Sequence, residues 1–576
     1  MTDGLTNDYL VKRMLRTFIA VTILVTMAAT VSIMINGLVV GNLMGSDGIS
    51  AYGLANPVLI LLSAVSGILA NGGTIGCAYY LGRNDIDAVR RNFSSVMIVS
   101  VVVGLLYSIV CIALSDPMAG ALGASSDIRQ ATSDYIRGIG FSAIPFLLFN
   151  NMILYIRMDG NQHLALVAVG VSVAVDAAVA YGLVAYADMG LLGIGIALAL
   201  ANLAGLMVTA LNFRREDTML RVSRCSGLKG ELRECVRSGM PTAINRGSQT
   251  LKNIILNLLL VSIAGNVAVS ALSVQTTIYQ VLIGVCTGYG VMTSMMCSMF
   301  IGEKDRNAVR DSVRVCMKSG LIVCTLVTVA VIAVAPLLVA AFIRNGGDLE
   351  LSTRCLRLFM LSFPLSVVNL VLLYYYQSSK RYALSNTISI ARGVAYVSLF
   401  SFALSGPMGT DGVWISFLLA EIFSLLTVLI AVRVYTGKFP RSVDELLLIG
   451  GMDSGEICAM SVRNDLDDVM KASAEIEGIC MSNGVDADTS HRLALCIEEL
   501  AGNSVRHAFP EGGEHYVMIR IIRTGDGIIF RLRDDGMRFN PLSVESDGLG
   551  LKIVRAVAKD IDYRYVMNLN NLTVML

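Results

Sequence analysis

The chain is poor in charge. Of its 576 residues only 15% are Asp, Glu, Lys or Arg, and these nearly cancel to a net charge of +1. A phosphate-binding surface needs a clear excess of Lys and Arg, so nucleic acid is excluded as a bulk partner and any basic character must be local. Metal and redox patterns are missing as well. The twelve cysteines stand singly, from Cys77 to Cys496, with no C-x-x-C pair and no histidine at ligand spacing. Buried thiols are the expectation. No G-x-x-x-x-G-K-[ST] loop occurs, which argues against primary ATP-driven transport.

What is abundant is apolarity: 55% hydrophobic residues and a mean hydropathy of +0.66 are too high for a soluble multidomain chain. A helix needs about 20 apolar residues to cross a hydrocarbon core of about 30 Å. Residues 17–434 hold twelve such stretches, centred near residues 28, 65, 105, 146, 174, 200, 251, 283, 329, 366, 394 and 421. The first is followed by many of similar length, so it reads as a spanning helix and not as a cleaved signal. Connectors after even-numbered spans are basic, with Arg83, Arg90 and Arg91 in one and Lys304, Arg306, Arg310 and Arg314 in another, while the alternate loops carry Asp47, Asp116 and Asp188. The positive-inside bias then places both termini in the cytoplasm of a cell-membrane protein.

An internal repeat organises the spans. LGRNDIDAVRRNF, Leu81 to Phe93, recurs 220 positions later as IGEKDRNAVRDSV, Ile301 to Val313, with Gly82, Asp85, Ala88, Val89 and Arg90 matching without a gap. Gly190 and Gly193 match Gly409 and Gly412, and Asn150 and Tyr155 match Asn369 and Tyr374. Six spans separate the copies, so two lobes of the same orientation are expected, at 1–220 and 221–436, with substrate between them and access alternated by rocking. A linker, 437–455, leads to a soluble domain, 456–576. The expected fold is mainly α, with twelve transmembrane helices in two six-helix lobes and a C-terminal α+β sandwich.

Three stretches, NGLVVGNLMGSDGISAYGLANPV, SVAVDAAVAYGLVAYADMGLLGIGIALA and SGMPTAIN, resemble the multidrug and toxic compound extrusion (MATE) family over residues 10 to 435. The resemblance implies efflux of amphipathic organic compounds in exchange for H+ or Na+, with a lipid-linked saccharide flippase as the alternative from the same superfamily. It also implies a cation-responsive site at Asp176 in span five. Where the family usually has an Asp in span one, this chain has Asn36, which can bond a carboxyl or ligate Na+ but cannot release a proton.

Charges at membrane depth default to functional candidates. Arg246 and Lys252 lie in span seven, Arg392 in span eleven and Glu421 in span twelve. Asn245, Gln249 and Lys252 share a helix face that must avoid lipid. An Arg392–Glu421 ion pair is one expectation. Surplus positive charge at Arg246 and Lys252 would repel the cationic drugs typical of the family, so an anionic, zwitterionic or neutral substrate is expected.

In the tail, helices are expected from Asp465 to Met481, from the caps at Asp488 to Ser490 up to Ala508, and over Gly550 to Ala558. Strands are expected at 516–522, 528–532, 563–567 and 572–575. CIEELAGNSVRHA, RDDGMRFNP and DGLGLKIV resemble, in this order, the motifs of the GHKL ATP-binding superfamily, nearest to anti-sigma-factor serine kinases, over residues 456 to 576. By that resemblance Asn503 ligates the Mg2+ of ATP, Glu499 is the catalytic base, Asp534 accepts the adenine amino group with Gly536 beside the base, and Gly548 and Gly550 cradle phosphates. It also implies a cytoplasmic regulatory partner, sigma-like or anti-anti-sigma. A membrane-tethered kinase or regulator with the transporter half as sensor is the second functional expectation. The repeated connectors lie on the same membrane face as the tail and are the expected surface for its control of the lobes.

Overall fold

A computed structural model describes residues 8–215, 218–223, 227–342, 346–450, 455–510, 512–525, 527–542 and 549–576. The first lobe contains α1 (Asp8–Gly82), α2 (Ile86–Ala113), the short α3 (Ser115–Ala121), α4 (Ser126–Met158), α5 (Gln162–Ala185) and α6 (Gly190–Ala210). The second contains α7 (Leu228–Gly302), α8 (Arg306–Ala340), α9 (Gly346–Met360), α10 (Phe363–Ser378), α11 (Tyr382–Ile390), a π-helical turn (Ala391–Ala395), α12 (Tyr396–Met408) and α13 (Thr410–Thr436).

The repeat is visible in the backbone. α1 and α7 each reverse direction at one glycine in the left-handed region, Gly45 (φ 67) and Gly265 (φ 64), which stand 220 residues apart. Glycine takes this conformation at no steric cost. Asp85 and Asp305 cap the next helices by accepting from Ala88 N at 2.9 Å and Ala308 N at 2.8 Å. Gly82 and Gly302 touch: a Cβ on either would enter the other helix's backbone. The matched stretches are therefore helix-cap connectors that meet at the junction of the lobes.

Among the described residues ten helices are long and apolar enough to cross a membrane, and the pair Leu349–Met360 and Phe363–Ser378, bent by 44°, brings the number to as many as eleven. The expected seventh span is the part of α7 before Gly265. It is helical, but Arg246, Gln249, Lys252 and Asn253 dilute its apolarity and it is not among them.

The segment 437–455, expected as a plain linker, contains a docked helix, α14 (Val443–Leu447). Tyr375 and Tyr376 donate to Leu447 O and Leu446 O at 2.7 and 2.6 Å, Arg381 donates to Leu448 O at 2.8 Å, and Leu447 and Ile449 are buried with the lobe core.

The tail forms β1 (Glu456–Arg463), α15 (Leu466–Ser482), α16 (Ala487–His507), β2 (Tyr516–Thr524), β3 (Gly527–Asp534), α17 (Leu549–Val557), β4 (Asp560–Val566) and β5 (Leu569–Met575). The antiparallel sheet has the order β1-β2-β3-β5-β4. β1 was not expected from the sequence. Strand alternation divides the sheet into two faces. Val517, Ile519, Ile521, Phe530, Leu532 and Val574 pack under the helices. The opposite face presents Met518, Arg520, Arg531, Arg533 and Asn571 toward the lobes, where Met518, Val566, Met567 and Leu569 join the lobe core.

Charge fixes that contact. Arg520, only 2% exposed in its side chain, bonds Glu456 at 2.5 Å, stands 3.5 Å from Asp305, and donates to Glu303 O and Lys304 O at 3.3 and 2.8 Å. Glu303 also holds Arg533 at 2.6 Å and Arg531 at 3.6 Å. Arg306 and Arg310 pair with Asp444 of α14 at 3.0 and 3.7 Å. On the first lobe, the turn at Met567 and Asn568 lies against Gly160. The sheet thus spans both lobes at their tail-side ends.

Candidate functional site

In the first lobe α5 brings Asp176 to α1. Ser32 Oγ and Asn36 Nδ2 both donate to Asp176 Oδ2, Asn36 at 3.0 Å. Asp176 is 1% exposed, and Oδ1 has no hydrogen-bond partner among the described residues. A buried anion held only by neutral donors is electrostatically under-compensated, which suits a group that releases and regains a cation. The structure brings Asp176 and Asn36 together as expected, whereas Ser32 was not foreseen. It lies one helical turn before Asn36, and that spacing was the available signal.

In the second lobe Arg392 and Glu421 form the expected pair, Nη2 to Oε1 at 2.7 Å and Nε to Oε2 at 3.2 Å. Arg392 sits in the π-helical turn, a local feature frequent at functional sites. Gln249 and Lys252 line a small cavity with this pair. Tyr279, Phe359, Ser366 and Phe417 are among the other residues of its wall, and none of these was expected from the sequence. Arg246 does not enter the cavity. It reaches across to Ser63 Oγ of α1, exposed between the lobes.

In the tail α16 places Glu499 and Asn503 one turn apart, with Asn503 Nδ2 donating to Glu499 Oε1 at 3.2 Å. Asn503 also donates to Pro541 O at 3.4 Å and is 3% exposed. Across from it, at the end of β3, Asp534 Oδ1 accepts from Gly536 N at 3.0 Å and from Asn570 Nδ2 at 2.6 Å. Burial pushes the Asp534 carboxyl up to about 6, against those bonds, which lower it. A side chain at Gly536 would strike Ala508, so the close packing of this turn on the end of α16 requires a glycine. Gly550 lies in the first turn of α17; Gly548 lies outside the described residues. A buried carboxylate acceptor beside a bare glycine, and an Asn–Glu pair on the facing helix, suit an adenine amino group and a metal-bridged phosphate.

The next residue leaves the tail. Asp535, 2% exposed in its side chain, pairs with Arg13 of α1 at 2.5 Å and with His515 at 3.1 Å, and accepts from Tyr9 OH at 3.3 Å. The rings of Tyr9 and Tyr516 lie 4.9 Å apart.

A duplicated bundle of hairpin-broken helices with polar sites at membrane depth, joined to an α+β domain, defines a multi-pass membrane transporter with a folded C-terminal tail. Residues 22–182 and 241–405 match the MatE family, and the chain belongs to it, the family of MATE multidrug exporters. Residues 462–576 match the histidine kinase-like ATPase domain. The chain is similar to the multidrug export protein MepA of Staphylococcus aureus (strain MRSA252), 22% identical over 418 residues that cover 71% of this chain and 90% of that protein. It is 24% identical to the MepA of Staphylococcus haemolyticus over 422 residues, with the same coverage. Its fold matches an outward-facing multidrug resistance MATE family transporter of the MOP superfamily with a TM-score of 0.69 at 18% identity, covering 72% of this chain and 94% of that one.

Proposed function

We propose that the protein is a secondary antiporter of the plasma membrane, with both termini cytoplasmic, that exports amphipathic organic compounds in exchange for H+ or Na+, and that nucleotide in the tail sets its rate. One observation carries the reading. The unbroken first limb of α1 is bonded at one end, through Tyr9 and Arg13, to the residue beside Asp534, and further along, through Ser32 and Asn36, to Asp176. A cation taken up at Asp176 competes with the Ser32 and Asn36 bonds and so changes what holds α1 to α5. Rocking of the lobes then needs the packing of α1 on α7 to open near the tail, where the sheet bridges both lobes. Asp534 would take the adenine amino group and Asn503 the Mg2+; ATP would supply anionic phosphates and a transferable phosphoryl group, and Glu499 would orient or deprotonate an attacking hydroxyl. Loading or emptying of that site alters the loop that holds Asp535, and through it the end of α1.

The test uses full-length protein in vesicles. Gradient-driven dye efflux is measured with and without ATP and Mg2+, in wild type and in Asn503→Ala. The expected result is basal efflux in both and an ATP effect only in wild type. Efflux that strictly requires Asn503 contradicts secondary transport, and wild-type efflux indifferent to ATP contradicts the regulation.

The Glu499–Asn503 pair, at 3.2 Å, also supports a second reading: a serine kinase acting on a cytoplasmic regulatory partner, with the lobes as sensor. Phosphate transfer to a serine of a docked protein, lost in Glu499→Gln while efflux persists, would favour it.

A further inference from the structure

We propose that the cavity of the second lobe binds the anionic head of an organic substrate, with Lys252 as its counter-ion. The inference rests on the transport reading and names the substrate class. Glu421 has no capacity left for Lys252. Its Oε1 accepts from Ser366 at 2.7 Å and Arg392 at 2.7 Å, and its Oε2 from Asn369 at 2.7 Å and Arg392 at 3.2 Å. Four donors fill the four acceptor positions of a carboxylate. Arg392 and Glu421 cancel, and the positive charge that remains in the cavity is that of Lys252.

Lys252 is 8% exposed and has no ion pair among the described residues. Its Nζ lies 5.1 Å from the centre of the Phe417 ring. A buried ammonium without an anion is costly, and a ring face offsets only part of that cost. The cavity is built to keep the ammonium there. Gly393 in the π turn lets α7 approach, since a Cβ at Gly393 would press on Ser248. Tyr279, Phe359 and Phe417 add aromatic walls, and Gln249 and Ser362 add polar groups; the space among them now holds little more than a water, so a flat apolar body would have to part the rings. An aromatic or amphipathic carboxylate or sulfonate answers both features. An organic cation meets a like charge.

The test uses full-length protein and three compounds of similar size: 1-naphthoate, 2-naphthol and N,N,N-trimethyl-1-naphthylammonium, a cation at any pH. Binding is measured in neutral detergent, and efflux in vesicles with and without phosphatidylglycerol. Wild type should bind naphthoate at least about tenfold more tightly than naphthylammonium, the range of one hydrogen bond to a charged group. Lys252→Gln should remove the preference and Lys252→Arg should keep it, with melting temperatures confirming that both variants fold. Preference for naphthylammonium in wild type, or naphthoate binding indifferent to Lys252→Gln, overturns the proposal. So does displacement of naphthoate by phosphatidylglycerol without efflux, which assigns the site to a lipid head group. If naphthylammonium is pumped in an Asp176-dependent way and naphthoate is not, only this inference fails; if none of the three is pumped, the transport reading fails as well.

Discussion

The first lobe holds one carboxylate at membrane depth, Asp176, bonded by a serine and an asparagine; the second holds a carboxylate wrapped by a guanidinium, a serine and an asparagine, with an ammonium beside it. Both lobes share the backbone of one duplicated unit, down to the glycine at which the long helix reverses. The difference teaches which polar groups are free to act. Glu421 is saturated and neutralised, and its value is structural. Asp176 is neither, and its bonds run to Ser32 and Asn36 of α1, so under the proposed reading a change in its charge would be felt in α1.

The largest expected effect separates the two carboxylates by function. Asp176→Asn should bring gradient-driven efflux to background with little loss of thermal stability, because an amide fits among neutral partners. Efflux retained in that variant would break the comparison. Next comes stability. Glu421→Ala leaves Arg392 buried without its anion and should destabilise the protein by about 3–5 kcal/mol, whereas Arg392→Met with Glu421→Leu should recover most of the loss. Equal melting temperatures for single and double variants would contradict a structural pair. Third, Arg520→Ala strips Asp305 and Glu456 of their shared cation, and the Glu303 and Lys304 carbonyls of a donor, at a cost of about 2–5 kcal/mol to docking. Faster hydrogen exchange in 443–450 and loss of the ATP effect on efflux, with nucleotide still bound, are the expected readouts.

The smallest effect concerns pH. Burial raises the Asp534 carboxyl to about 6 from an ordinary value near 4, so the folded tail prefers it protonated. Its contribution to stability is present below pH about 4 and is lost as pH rises from about 4 to 6. Nucleotide affinity should run the other way, falling by up to about tenfold per unit below pH 6 because the protonated acid is the poorer acceptor for an amino group. Asp534→Asn should flatten both profiles, which titration calorimetry and melting curves can follow.

Much of this was legible in the sequence, for identifiable reasons. Period and length gave the spans, and Gly82 and Asp85 with Gly302 and Asp305 gave the repeat, because a cap and a close contact each demand particular residues. Asn503, Glu499 and Asp534 were legible because they lie in short motifs with fixed spacing. Three things were not. Ser32, Ser366 and Asn369 are common polar residues whose role depends on a partner 55 or more positions away, or just under that for Asn369, at 52. Arg520, Arg531 and Arg533 owe their role to Glu303, more than 200 positions earlier in the chain. Asp535 looked like a second letter of the R-D-D-G motif, and only tertiary structure turns it toward Tyr9 and Arg13.

Under the proposed reading α1 joins the tail's nucleotide site to Asp176 through Asp535. It is tested most directly by efflux of whichever naphthalene compound the wild-type protein moves, compared with and without ATP and Mg2+ in wild type and Asp535→Asn, with nucleotide binding measured on the same samples. Asp535→Asn should bind nucleotide and pump at the basal rate, but no longer change that rate when ATP is added. An undiminished ATP effect in Asp535→Asn would contradict it.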